Sequence, residues 1–256
     1  AIGLAAGTYN CIITDNLGCS ITESVVVVEP STNLSINISS INLTCYNNNT
    51  GSASVVAQGG VGGYLYSWSP GSSTNAIIQN LAAGTYTVDV TDLSGCTQTD
   101  NIIITEPDLL YSSITSTNIS CFALADGTIN LNTTGGTQQY SFEWDGPNGY
   151  IATTGNISNL NVGTYSLTVT DYNECIFTDI VTITQPPVLV GVSSTINPSC
   201  YNALDGSITI IVSGGISPYT NTTYGGNLPT SIVGDTVILF SNLPAGNLPL
   251  IVTDDN

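Results

Sequence analysis

A six-residue string, Leu-Ala-Ala-Gly-Thr-Tyr, occupies residues 4–9 and returns unchanged at 81–86. It recurs as Leu-Asn-Val-Gly-Thr-Tyr at 160–165 and, degraded, as Leu-Pro-Ala-Gly-Asn-Leu at 243–248. The steps are 81−4 = 77, 160−81 = 79 and 243−160 = 83 residues. Solenoid repeats run about 20–50 residues, so this period is too long for a stacked solenoid. It is long enough for a small domain with a core of its own. The 256 residues therefore read as a string of similar beads.

One copy, residues 30–106, reads as strands and turns. Residues 34–44 lean to β, and 45–50 form an Asn-rich turn. Residues 51–58 alternate, with Ala53 and Val55 on one side and Ser54 and Val56 on the other. A glycine loop follows at 59–63, then alternating aromatics at 64–68, a short strand at 75–80, the Leu-x-x-Gly-Thr-Tyr corner, a strand at 86–91, a turn at 92–95 and a closing strand at 98–105. Glu106-Pro107 ends the copy, because proline cannot continue a central strand. Short strands with turn signals every 8–12 residues are the pattern of an all-β sandwich. No stretch keeps a helical period. The expected architecture is a tandem row of immunoglobulin-like (PKD or fibronectin III-like) β-sandwich domains arranged as an extended rod. Residues 1–30 are the C-terminal strands of a preceding bead. Beads follow at 31–107, 108–186 and 187–256, the last without its final strand.

Composition removes whole classes of function. The chain has no Lys, Arg, His or Met, and its 18 acidic residues give a formal charge of −18. Nucleic-acid binding rests on cations meeting phosphates, so it is not expected. Without His there is no imidazole base, no Ser-His-Asp triad and no His metal ligand. No apolar run reaches the ~18 residues of a spanning helix, so this segment is not expected to insert directly in a membrane. Asp-Gly at 126–127 and 205–206 is a turn signal and does not match an aspartic-protease motif. No enzyme is expected. The Asn-x-Ser/Thr sequons, such as those at Asn33 and Asn118, follow from the Asn, Ser and Thr content alone.

Six of the seven cysteines fall in register. Cys19, Cys96 and Cys175 stand 15 residues after the repeat's Leu, and Cys45, Cys121 and Cys200 stand six before a Gly. Such register in a chain lacking any Cys-x-x-Cys pair reads as a disulfide framework of an oxidising compartment. Cys11 takes the strand position of Val88 and Leu167 and is expected to be a buried thiol. Tyr86 and Tyr165, like Tyr9, sit where a tyrosine corner bonds back to upstream backbone, and Trp68 and Trp144 lie on the third strand, where such domains bury a Trp. Core packing is the default role for all of them. No cofactor is expected, except that Asp92, Asp171 and Glu106 recur near bead ends and would be the Ca²⁺ candidates. The competing reading is that each Asp caps its own turn.

The combination of Gly-Gly-x-x-x-Tyr-x-x-x-Trp (59–68, 135–144), Leu-x-x-Gly-Thr-Tyr, Val-Thr-Asp-x-x-Gly-Cys (90–96) and Cys-x-x-x-x-Asp-Gly-Ser/Thr (121–128, 200–207) closely resembles the SprB-type repeat. That repeat belongs to very large surface adhesins of gliding Bacteroidetes. The resemblance implies a secreted, extracellular protein of the cell surface, exported by the type IX pathway and carried along by a gliding motor. The third bead departs from the pattern, with Thr223 or Tyr224 at the Trp position and Leu248 at the Tyr position, and Glu174 stands where the turn Gly belongs.

The function expected is a structural stalk, in which beads add length, stiffness and protease resistance and the partners are neighbouring repeats of the same chain. A carbohydrate- or matrix-binding repeat contacting polysaccharide is the alternative, and a filament or sheath subunit is a third. If the strand order is immunoglobulin-like, Cys45 lies at the end of its bead nearest the next one and Cys96 at the opposite end. A disulfide needs Cα atoms within about 7 Å, which excludes Cys45–Cys96 and Cys96–Cys121 and leaves Cys45–Cys175 across a junction. A rearranged first strand would restore Cys45–Cys96.

Overall fold

The computed structural model of the chain describes residues 1–30, 32–222, 231–233, 237–247 and 250–255. The chain forms two compact units, residues 1–109 and 110–256.

The first unit opens with an antiparallel hairpin of β1 (Gly7–Thr14) and β2 (Ser20–Val27). Bead one follows. β3 (Ser35–Ile41), β4 (Gly51–Gln58) and β6 (Ile77–Leu81) form one sheet, and β5 (Leu65–Ser69), β7 (Gly84–Thr91) and β8 (Thr97–Ile104) the other. Orders 3-4-6 and 5-7-8 are the A-B-E and C-F-G arrangement of an immunoglobulin-like sandwich. The period-2 alternation puts Ala53, Val55, Trp68, Ile78, Val88 and Val90 between the sheets. A fully buried Val or Leu is worth about 1.5–3 kcal/mol, so this core carries the bead. Past β3 and β8 the chain closes the sandwich. The Leu43 N–H donates to the Thr105 carbonyl at 3.0 Å and the Thr105 N–H to Asn42 Oδ1 at 3.0 Å.

In the second unit, bead two repeats this plan. β9 (Tyr111–Thr117), β10 (Gly127–Thr134) and β13 (Ile157–Leu160) face β11 (Ser141–Asp145), β12 (Ile151–Ala152), β14 (Gly163–Thr170) and β15 (Ile176–Ile183). Its core includes Trp144, Leu160, Tyr165, Leu167, Val169 and Ile183. The closing bonds recur, from the Ile119 N–H to the Thr184 carbonyl and from the Thr184 N–H to Asn118 Oδ1, both at 3.0 Å. In bead three, β16 (Val190–Ile196), β17 (Gly206–Ser213), β20 (Val237–Leu243) and β19 (Ser231–Val233) make one sheet, and β18 (Thr220–Thr222) pairs with β21 (Ile251–Thr253). Ile210, Val212, Ile238, Phe240 and Leu243 form its core. Thr223, Tyr224 and Leu248, the positions singled out in the sequence, lie outside the described residues.

One expectation fails. Cys11 is exposed, not buried. It does hold the strand position of Val88 and Leu167, which are buried. The β1–β2 hairpin is a two-stranded sheet, however, and inward-facing positions are buried only where a second sheet lies across them.

Candidate functional site

The side chains that recur in register hold the ends of each bead. In bead one the Asp92 carboxylate ties two loops together. Its Oδ1 accepts the Ser94 and Cys96 N–H groups at 2.9 Å and the Ser94 hydroxyl at 2.7 Å, which fixes the β7–β8 turn as an Asx turn. Its Oδ2 accepts the Val61 N–H at 3.0 Å, reaching 31 residues back to the glycine loop. The Val61 bond, then the Ser94 hydroxyl, holds the Asp92 carboxyl well below the ordinary carboxylate value, at about 2. Asp171 makes the matching bonds in bead two, accepting from Asn173 (2.8 Å) and Cys175 (2.9 Å) on Oδ1 and from Thr137 (2.7 Å) on Oδ2. In bead three Asp254 Oδ2 accepts the Ile216 N–H at 3.0 Å. Asp15 in the first hairpin keeps the turn bonds, to Leu17 and Cys19 at 2.9 Å.

The glycine loops are built to receive that carboxylate. Gly60, Gly136 and Gly215 have φ of 61°, 57° and 61°. A β-carbon on any of them would meet the Asp oxygen at 2.5–2.6 Å. One further recurrent residue escaped the sequence reading of candidate sites. Tyr64, Tyr140 and Tyr219 donate their hydroxyls to the carbonyls of Gly59, Gly135 and Gly214 at 2.7, 2.6 and 2.6 Å. The signal was available, since each Tyr stands five residues after the first glycine of its pair.

The tyrosine corners have the expected geometry. Tyr86 Oη donates to the Ala82 carbonyl at 3.2 Å, Tyr165 to Asn161 at 3.0 Å and Tyr9 to Ala5 at 2.9 Å. Burial pushes the Tyr165 phenol up. Trp68 and Trp144 are 1% and 0% exposed, and their indole N–H groups donate to the Asn75 and Thr154 carbonyls at 2.8 and 3.1 Å.

The opposite end of each bead carries the cysteine turn between the first two strands. The Asn47 N–H donates to Glu106 Oε2 at 2.6 Å, and in bead two the Ala123 N–H donates to Gln185 Oε1 at 3.2 Å. The turn is braced from within by the residue before the strand glycine. Thr50 accepts from the Thr44 N–H at 3.1 Å, Asp126 from Ser120 at 3.1 Å and Asp205 from Ser199 at 2.9 Å. The Ser120 and Ser199 hydroxyls, then their N–H groups, hold the Asp126 and Asp205 carboxyls below the ordinary value.

Of the Ca²⁺ candidates, Asp92 and Glu106 stand at opposite ends of bead one, and both oxygens of Asp92 and of Asp171 already accept N–H donors. Among the described residues no group of three or more Cys, Asp and Glu side chains is disposed to hold a metal ion. Nor is any helix there long and apolar enough to cross a membrane. A groove of ≈ 670 Å³ in bead three runs past Pro198, Gly206 and Leu243. In beads one and two the corresponding Gly51 and Gly127 have Ile104 and Ile183 beside their β-carbon positions, whereas Gly206 has Pro198. Cys45 and Cys175 are disulfide-bonded, whereas Cys11, Cys19, Cys96, Cys121 and Cys200 are free thiols.

The SprB repeat family matches the chain three times, at residues 37–73, 113–149 and 192–227. Each match begins in the first strand of a bead and takes in its cysteine turn and glycine loop, so the Asp hairpins and tyrosine corners lie outside it. No curated protein matches the chain. Among solved structures, the amphioxus IgVJ-C2 molecule is similar at 14% identity over 59% of this chain and 96% of its own, with a TM-score of 0.27. The N-terminal eight Ig domains of the Down Syndrome Cell Adhesion Molecule are similar at 11% identity over 91% of this chain and 41% of their own, TM-score 0.27. Surface layer protein SbsC, domains 1–6, is similar at 14% identity over 98% of this chain and 43% of its own, TM-score 0.25. At such scores the fold assignment rests on the strand order inside each bead. One SprB-repeat match starts in each bead, so the repeat recurs three times along the chain.

Proposed function

We propose that the chain is a length of stalk from a large secreted cell-surface adhesin. Its beads, at 31–107, 108–186 and 187–256 after the closing strands at 1–30, follow one another as an extended rod. The observation that carries this reading is what the recurrent residues do. Trp68 and Trp144, Tyr86 and Tyr165, Asp92 and Asp171, and the paired glycines all hold beads together. What is repeated is therefore a building unit, not a shared ligand site or a catalytic group. Lacking Lys and Arg, the unit offers trypsin no cleavage site, and its negative charge opposes side-by-side packing within a screening length of about 8 Å. Export by the type IX pathway and carriage by a gliding motor belong to the same reading through the SprB repeats.

Small-angle scattering of the purified chain tests it. An elongated particle several times longer than wide is expected, and a near-spherical one would overturn the stalk. A glycan array run on the same sample separates the alternative, since strong, saturable binding by the beads would favour a carbohydrate-binding repeat.

A further inference from the structure

The closing strand of a bead is an end strand of its sheet. In bead two β15 ends the order 12-11-14-15, and in bead one β8 ends the order 5-7-8. An end strand presents unpaired N–H and C=O groups to which another chain can add a strand. The sequence of β15, Ile-Phe-Thr-Asp-Ile-Val-Thr-Ile, invites such addition, because seven of its eight residues are strand-favouring types and none is proline. The exception is Asp179, of a type depleted in strands and the only charged residue of β15. The closing strands β8 and β2 also carry one charged residue each, Asp100 and Glu23. All three stand at the same register position, opposite Leu167, Val88 and Cys11. Residues opposite one another on a ladder share a face, and Leu167 is buried, so Asp179 lies on the core-facing side of β15 and is nonetheless exposed.

The ladder shows what that carboxylate covers. The Asp171 N–H donates to the Cys175 carbonyl at 3.0 Å. Bonded and unbonded pairs alternate from there, which makes Leu167–Asp179 a bonded pair and Ser166–Ile180 an unbonded one. The Ile180 N–H therefore points away from β14, into the open edge, and Asp179 Oδ1 accepts it at 2.7 Å. Further along the same edge the Thr184 N–H goes to Asn118 Oδ1 at 3.0 Å. Bead one makes this arrangement on its own. The Asp92 N–H donates to the Cys96 carbonyl at 3.0 Å, Thr87–Asn101 falls in the unbonded place, and the Asn101 N–H donates to Asp100 Oδ1 at 2.8 Å. We propose that Asp179 and Asp100 shut the open edges of their beads against strand addition by a second copy of the chain. Each carboxylate occupies a donor that an added strand would need. Each also sets a charge where the same strand of a second copy, arriving about a two-fold axis, would bring its own, and like charges oppose the pairing. β15 of another copy is the occupant held off, since it matches this edge over its whole length.

Sedimentation equilibrium of the whole chain, its free thiols alkylated with iodoacetamide, tests this. Asp179→Val removes both the bond and the charge, and it is expected to strengthen self-association by roughly tenfold or more over the parent. Asp179→Asn keeps an acceptor for the Ile180 N–H and removes only the charge. A smaller rise is expected from it, and it carries the test if the Val variant does not fold. Adding Ile180→Pro to Asp179→Val deletes the edge N–H itself, a change that an end strand tolerates on its open side, and should return association to the parent's level. Thr168→Val puts a similar apolar side chain on β14, which is paired on both sides, and should leave association unchanged. If the folded Asp179 variants associate no more than the parent, the proposal is overturned. Association that survives Ile180→Pro, or that appears equally with Thr168→Val, overturns it too, because the cause would then be added apolar surface and not pairing at this edge.

Discussion

A β-carbon placed on Gly60 would stand 2.5 Å from the Oδ2 of Asp92. The backbone there is also left-handed, with φ of 61°. Gly60→Ala therefore pushes the carboxylate off the Val61 N–H and adds strain, and it is expected to cost about 1–3 kcal/mol. Gly62, two residues on, has open space around its β-carbon position and ordinary φ. Gly62→Ala is expected to stay within about 0.5 kcal/mol of the parent. Urea unfolding of the two variants side by side measures the difference, and equal costs would show that the Asp92–Val61 bond does not depend on a glycine at residue 60.

Acid should loosen the bead through the same residue. The folded carboxyl of Asp92 is held at about 2, below its unfolded value, and Asp126 and Asp205 are lowered too. A carboxyl lowered by folding stabilises fully above its unfolded value, near 3.9. That contribution is lost as pH falls through the folded one. The melting midpoint should be level from pH 7 to about 5 and drop between about 4 and 2. Asp92→Asn should melt lower than the parent at pH 7, with the gap narrowing across that window. A gap independent of pH would show that ionisation of Asp92 does not contribute.

What the sequence showed and what it hid follow from how far apart the partners are. The strand at 51–58 was legible to the residue because Ala53 and Val55 alternate with Ser54 and Val56, and period 2 is a local property. Trp68, Trp144 and the tyrosine corners were legible because a large aromatic at fixed spacing has few places to go. The turn role of Asp92 was legible, but its second bond was not, since Val61 lies 31 residues away and nothing local marks the pair. The exposure of Cys11 was hidden for a related reason, because position in a strand tells which face a residue takes and not whether another sheet covers that face.

The tyrosine corner and the Trp separate two kinds of stabilisation in bead two. Tyr165→Phe keeps the ring, its edge contact with Tyr150 at 5.4 Å and its burial, and removes only the bond to Asn161. It should cost about 0.5–1.5 kcal/mol. Trp144→Ala opens a cavity in the centre of the core and should cost about 3–5 kcal/mol. Calorimetric melts of the two variants rank them, and a Tyr165→Phe loss as large as the Trp loss would mean that the hydroxyl organises more than its one bond.

Glu174 points to a substitution that should improve the protein. It holds the hairpin position that glycine fills at Gly18 and Gly95, and it adopts the same left-handed backbone, with φ of 65° against 89° and 86°. Its N–H donates to the Asp171 carbonyl at 3.1 Å, as the Gly95 N–H does to Asp92 at 3.0 Å, so the turn is the same turn. A residue with a β-carbon is strained by roughly 1–2 kcal/mol in that region. Glycine avoids the strain but loses about 0.5–1 kcal/mol of backbone entropy on folding. Glu174→Gly should therefore stabilise bead two by about 0.5–1 kcal/mol, while Gly95→Glu should destabilise bead one by a similar amount. Chemical denaturation of both variants tests the pair. If Glu174→Gly destabilises, the Glu side chain makes a compensating contribution at this turn that outweighs its backbone strain.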